Sequence, residues 1–73
     1  MRTFPMKRMP VTIRSSGLSA VVLDMDLPDD AFGADGQPRN GYVIVDGTRC
    51  WVESSDMGRV SRRQMMFGEL DLA

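Results

Sequence analysis

Cys50 is the only cysteine in this sequence, and there is no histidine. A chain of 73 residues buries a modest share of its surface when it folds. Domains of this size therefore often add a disulfide, a structural metal or a partner subunit. A lone cysteine cannot form an internal disulfide, and without histidine it cannot complete a zinc site. The domain must rely on its own packing, on a partner chain or on a repeated assembly for its stability.

The residues that most enzymes use are missing. Without histidine there is no Ser-His or Cys-His pair to activate a nucleophile. Cys50 has Arg49 beside it, but adjacent residues of a strand point to opposite faces, so a structural thiol is the better interpretation. The glycine motifs that bind phosphates are absent, and a domain this small can hardly form the deep cleft that paired catalytic carboxylates need. We therefore expect no enzymatic activity and no cofactor.

Aspartates are concentrated between residues 24 and 35, where no basic residue occurs. If Asp24 opened a calcium-binding EF-hand loop, Pro28 would fall at the fifth position and Asp29 at the sixth, which requires glycine. The pattern fails, and we predict solvated or partner-facing carboxylates and no metal site. An irregular cation site in residues 24–35 is the alternative.

Residues 1–10 predict an extended N-terminal arm, and residues 11–73 predict a single small β domain. Pro5 and Pro10 prevent a helix and favour extended backbone in the residues before them. Phe4 and three methionines make the arm too apolar for a free tail. We expect it to pack on the body of the domain or on a neighbouring molecule.

Two stretches after the arm have strand character. Residues 11–14 and 18–25 are rich in β-forming residues, and Ser15-Ser-Gly17 between them predicts a three-residue turn. Residues 27–41 then hold prolines, glycines and aspartates that leave little room for regular structure. Phe32, in the middle of that stretch, predicts a loop that docks at one point.

The strongest local signal is Asp46-Gly47, which lies between two β-rich runs. Asp-Gly in that position predicts a type I′ hairpin, because both turn residues need positive φ. A two-residue loop would place Tyr42 opposite Trp51 on one face, and it would place Val43 and Val45 with Cys50 and other core residues on the opposite face.

The C-terminal third is ambiguous between a helix and a strand. Ser61 and Gln64 have the spacing of a capping box, and Gly68 can end a helix, so residues 60–67 predict a short helix with a strand as the alternative. Residues 69–73 alternate and predict an edge strand or a docked tail. The fold class expected is mostly β: a small antiparallel barrel or open sheet, SH3-like or OB-like, with one short C-terminal helix.

Several apolar, aromatic and arginine side chains are candidates for contact with a partner. Methionine-rich patches are typical of adaptable binding surfaces, and aromatic residues with nearby arginines can bind proteins or stack on single-stranded nucleic acid. The candidate contact residues are Phe4, Met6, Met9, Phe32, Tyr42, Trp51, Arg62, Arg63, Met65, Met66 and Phe67.

A protein partner fits these features best. The net charge is −1, whereas domains that bind nucleic acid are usually basic. No apolar run is long enough to cross a membrane, and no secretory signal is present, so we expect a cytoplasmic or virion protein. Its architecture is typical of small assembly components such as phage decoration, connector or tail proteins. The alternatives are an inhibitor that binds a host protein through an acidic loop, residues 24–35, and a small barrel that binds single-stranded nucleic acid.

Overall fold

A computed structural model describes all of residues 1–73 as five antiparallel strands joined by short turns and one long loop. Two single-turn 3-10 helices, at Asp29–Ala31 and Phe67–Glu69, are its helical segments. The strands are β1 (Arg2–Ile13), β2 (Ser19–Leu27), β3 (Arg49–Asp56), β4 (Arg59–Met66) and β5 (Leu70–Leu72).

The strands form one sheet in the order β4-β3-β2-β1-β5. Strands adjacent in the sequence pair with each other from β1 to β4. The chain then turns so that β5 pairs with the C-terminal end of β1, residues 11–13. The sheet curls into a half-barrel. One edge of the sheet is β4, which has eight residues, and the other is formed by β5, which has three, together with the part of β1 before Val11 that β5 does not pair with.

The core lies on the concave side of this sheet. Strand β2 is central, and its Val22 and Met25 are fully buried. A shift in register between Val22 and Asp24 in the pairing with β3 lets both of these core residues face inward. The buried apolar residues are Val11, Ile13, Ala20, Val22, Met25, Leu27, Ala31, Cys50, Val52, Met65 and Leu70.

The segment predicted to be an arm has extended backbone, but it lies within the sheet. Residues 2–5 pair with residues 24–27 of β2, and the pairing resumes at Met9 after a bulge. Within the bulge, Lys7 and Arg8 both have positive φ, at 51° and 54°. Because β2 supplies hydrogen-bond partners along this whole length, residues 2–10 are the first part of β1. The division into an arm and a body remains a prediction.

The predicted Asp46-Gly47 hairpin is wrong. Residues 42–45 are not a strand, and Gly47 does not have positive φ. A tight turn is present, since the backbone N–H of Thr48 donates to the carbonyl of Val45 at 3.0 Å. However, β4 occupies the edge of β3 along which residues 42–45 would have to lie. Val43 and Val45, predicted to be core residues, are consequently exposed.

The two-residue hairpin with positive φ lies elsewhere, between β3 and β4. Met57 and Gly58 have φ of 52° and 79°, and Asp56 pairs directly with Arg59. These are the features of a type I′ turn. The hairpin pairs every residue of β3 with one of β4. This longer pairing is more favourable than the shorter one that a hairpin at Asp46-Gly47 would form.

The predicted helix in residues 60–67 is also wrong, because residues 60–66 lie in β4 and Phe67 begins the second 3-10 helix. An isolated helix of two turns gains little free energy in water, since nucleation is costly. A strand beside β3 satisfies backbone groups along its whole length and buries Met65. The edge strand predicted in residues 69–73 is confirmed as β5.

The first turn and the long loop are confirmed in their main features. Gly17 has φ of 75° in the turn between β1 and β2, which spans residues 14–18 and is two residues longer than predicted. The loop spans residues 28–48, and Phe32 packs against the core as predicted, but the loop docks at more than one point because Ala31 is buried and Tyr42 and Ile44 also pack there. The ring of Phe32 lies 5.9 Å from that of Phe4, centroid to centroid, and the Arg2 guanidinium lies 3.9 Å from its centroid.

We expect Gly58→Val to destabilise the domain by about 2 kcal/mol, because a β-branched side chain is strained at positive φ. Gly47→Val is the matched control: its backbone is not left-handed, and a Cβ there would meet no atom within 4 Å. Thermal unfolding of the two variants, followed by circular dichroism, measures the difference. A larger loss for Gly47→Val would contradict the turn assignment.

Candidate protein-contact surface

Seven of the predicted contact residues pack within the domain itself. Met65 is buried in the core, and six others are partly buried and pack against it: Phe4, Met6, Met9, Phe32, Tyr42 and Phe67. Phe4 and Met6 also line an open depression of about 400 Å³ together with Lys7 and Gln37. The apolar character of the N-terminal segment is therefore largely explained by packing within the chain.

Trp51 and Tyr42 do not form the predicted aromatic pair. The cross-strand neighbours of Trp51 are Asp24 on β2 and Gln64 on β4. Trp51 is 40% exposed on the convex face of the sheet. One carboxylate oxygen of Asp24 is buried without a hydrogen-bond partner. A carboxylate beside the indole is unfavourable for a surface that must approach phosphates.

Three of the eight exposed large apolar side chains lie together at one end of the sheet, where β4 ends. Met1, Val45 and Met66 are 79%, 60% and 43% exposed and line one depression of about 260 Å³. We call these three residues the apolar patch. Asp26 and Arg49 also line this depression, so the patch has apolar residues beside charged ones, as protein interfaces do.

Glu53 lies between two arginines on the convex face. Arg8 Nη1 lies 2.6 Å from Glu53 Oε2, and Arg62 Nε lies 2.9 Å from Glu53 Oε1. These hydrogen bonds, first that of Arg8 and then that of Arg62, hold the pKa of Glu53 below its ordinary value. Arg62, a predicted contact residue, is therefore engaged within the chain, whereas Arg63 forms no ion pair.

Cys50 is completely buried, and its Sγ donates weakly to the carbonyl of Thr48 at 3.6 Å. Burial raises the pKa of the thiol to about 11, with smaller contributions from the negative charges of Asp26 and Asp24. A thiol in these surroundings is protonated at neutral pH and is a poor nucleophile.

We expect Cys50 to be unreactive toward dithiobis(nitrobenzoate) at pH 8 in the folded protein and to react fully in urea. Folding raises the pKa of the Cys50 thiol. The stability that the buried, protonated thiol contributes is therefore present below pH 9 and is lost as the pH rises toward about 11. Absorbance of the released thiolate measures the reaction. Labelling in native buffer at the rate seen in urea would contradict the buried position.

Neither a metal centre nor a membrane span emerges from the geometry. No group of three or more aspartate, glutamate or cysteine side chains is arranged to hold a metal ion. In the acidic loop, Asp29 lies 3.1 Å from the N-terminal amine, and Asp35 accepts a hydrogen bond from the backbone N–H of Gln37. Neither 3-10 helix has the length or the apolar character needed to cross a bilayer.

Sequence reasoning missed two of the three residues in the apolar patch. The predicted Asp46-Gly47 hairpin would turn Val45 into the core. Met1 belongs to the predicted arm, and its position near Met66 depends on the pairing of β1 with β2, which brings Arg2 opposite Leu27. Comparison with protein-family models, with curated proteins and with solved structures finds no match to this chain.

Proposed function

We propose that this chain is a non-enzymatic protein-interaction module that serves as a small component of a larger assembly. The observation that carries the proposal is the apolar patch. Three large apolar side chains, those of Met1, Val45 and Met66, stay exposed around one depression, whereas the other exposed large apolar side chains do not line it. Contiguous exposed apolar surface with a polar rim marks a site of protein contact.

The fold that we propose is an incomplete SH3-like barrel. Two features support this choice over an OB-like barrel: β5 follows a single-turn 3-10 helix and pairs with β1, and no α-helix connects the strands. Small barrels of this kind serve many functions, so the fold supports a binding role only in general terms. The assembly that we favour is a phage virion, in which the chain would be a decoration, connector or tail protein.

The proposal is tested by replacing Val45 with the photo-reactive residue benzoylphenylalanine and irradiating the protein in the cells that naturally produce it. Irradiation should join the chain to one defined protein, and Met66→Glu in the same chain should abolish that product. Met57 is the matched control position, because its side chain is 95% exposed and apolar but lies at the other end of β4. Eight residues of strand separate the two positions by about 25 Å.

The result has a clear reading in each direction. A product formed at position 45, sensitive to Met66→Glu and absent at position 57, supports a specific protein interface at the apolar patch. The proposal is overturned if position 45 yields no protein product, or if positions 45 and 57 yield the same set of proteins. A cross-link to nucleic acid would replace the protein partner with the alternative class.

A further inference from the structure

The free edge of β4 carries backbone groups without partners. In the ladder with β3, the backbone N–H of Phe67 donates to the carbonyl of Thr48, and Asp56 faces Arg59 across the turn. Hydrogen-bonded pairs alternate along an antiparallel ladder. The backbone groups of Val60, Arg62 and Gln64 therefore point away from β3. The N–H of Met66 also points outward, and the Glu69 carboxylate accepts its hydrogen bond at 2.8 Å.

The side chains of this edge are basic. Arg59 and Arg63 are exposed and form no ion pair in the chain. They lie on the same side of the strand as Ser61, because alternate residues share a face. Every other residue of β4 except Met65 is exposed as well. The edge thus combines unpaired backbone groups with two unneutralised positive charges.

A second copy of the chain is a poor occupant for this edge. In the antiparallel registers of β4 with its copy that are centred on residues 61, 62 and 63, Arg59 faces Arg63, Arg62 faces Arg62 and Arg63 faces Arg63, respectively. Like charges directly opposite each other destabilise a strand pair. An acidic strand meets the same groups with favourable charge.

We propose that the β4 edge binds an extended acidic segment of a protein partner, which adds to the sheet as a sixth strand. Backbone hydrogen bonds to Val60, Arg62 and Gln64 would supply affinity, as in other proteins that bind peptides by strand addition. Acidic side chains opposite Arg59 and Arg63 select the segment. The inference deepens the proposed function, on which it rests, by naming the chemistry of the partner at a second surface that adjoins the apolar patch at Met66.

The test uses the full chain and a synthetic capped peptide that alternates glutamate with valine. A matched peptide alternates lysine with valine, and a third carries N-methyl groups on alternate residues of the acidic sequence. We expect the acidic peptide to shift the backbone amide resonances of Val60, Arg62 and Gln64 and to slow their hydrogen exchange. The other two peptides should bind at least tenfold more weakly.

Charge reversal at two arginines provides the matched variants. Arg63→Glu should weaken binding of the acidic peptide by at least tenfold, which is about 1.4 kcal/mol. Arg39→Glu makes the same change in net charge in the long loop between β2 and β3, away from the free edge, and should leave the affinity within about twofold. Both variants are at exposed positions, and their spectra report whether they fold.

Four results would overturn the proposal. They are no binding of the acidic peptide, equal binding of the N-methylated peptide, resonance shifts that avoid β4, and protection of the β4 amides in the free protein by self-association. None of them depends on cross-linking at Val45. The edge proposal can therefore fail while the apolar patch is still shown to bind a protein, and the reverse is also true.

Discussion

Deletion of residues 1–8 is expected to unfold the domain. These residues hold the half of β1 that pairs with residues 24–27 of β2. Their loss would expose Met25 and Leu27, each of which stabilises the fold by about 2 kcal/mol when fully buried. It would also remove the contact of Phe4 with Phe32, worth about 1 kcal/mol. A core of this size supplies roughly 3–5 kcal/mol in total, so the truncated chain cannot stay folded.

Two-dimensional amide spectra and far-ultraviolet circular dichroism of the truncated chain measure this outcome. Deletion of Met1 alone is the control, because that side chain is 79% exposed and lies outside β1. It should leave the spectrum dispersed and the melting transition cooperative. If the chain that starts at Met9 keeps a dispersed spectrum, the N-terminal segment is an arm after all, and the division at residue 10 expected from the sequence is right.

Local sequence signals predicted the parts of the fold that depend on neighbouring residues. Gly17 ends the first turn with positive φ, and the alternation of Leu70, Asp71 and Leu72 appears as an edge strand. The docking of the long loop through Phe32 followed from one aromatic residue in an otherwise polar stretch. Each of these features is decided within a few residues of chain, where turn chemistry and burial pattern act directly.

Competition between distant segments decided the features that the sequence did not predict. Asp46-Gly47 and Met57-Gly58 both offer a short turn beside β3, and only one segment can occupy that edge of the strand. Met57 carries no preference for positive φ that would identify it in advance. The outcome depends on the full pairing of β3 with β4, which is a property of the whole sheet.

The same competition determined the candidate site. Displacement of residues 42–45 from the sheet separated Tyr42 from Trp51 and left Val45 exposed at the apolar patch. Because residues 59–66 form a strand at the edge of the sheet, Arg59 and Arg63 are charges along a free edge. Composition predicts methionine and arginine as candidate contact residues, and the strand order shows which of them face solvent.

Met25→Ala is expected to lower the free energy of unfolding by about 3 kcal/mol, the usual cost of removing a large buried side chain. Met25 lies at the centre of the sheet, where it pairs with Phe4 on β1 and with Cys50 on β3. Its side chain is 0% exposed. The neighbouring strands are held by their own hydrogen bonds and cannot close the cavity. In a domain this small, the loss should lower Tm by more than about 10 °C.

Met57→Ala is the matched control, because the same atoms are removed from a side chain that is 95% exposed at the hairpin tip. It should change stability by no more than about 0.5 kcal/mol. Met25→Leu keeps most of the buried volume and should cost less than about 1.5 kcal/mol. Urea unfolding of the three variants gives these free energies directly. Equal losses for Met25→Ala and Met57→Ala would mean that β2 does not lie at the centre of the core, and the strand order itself would then have to be revised.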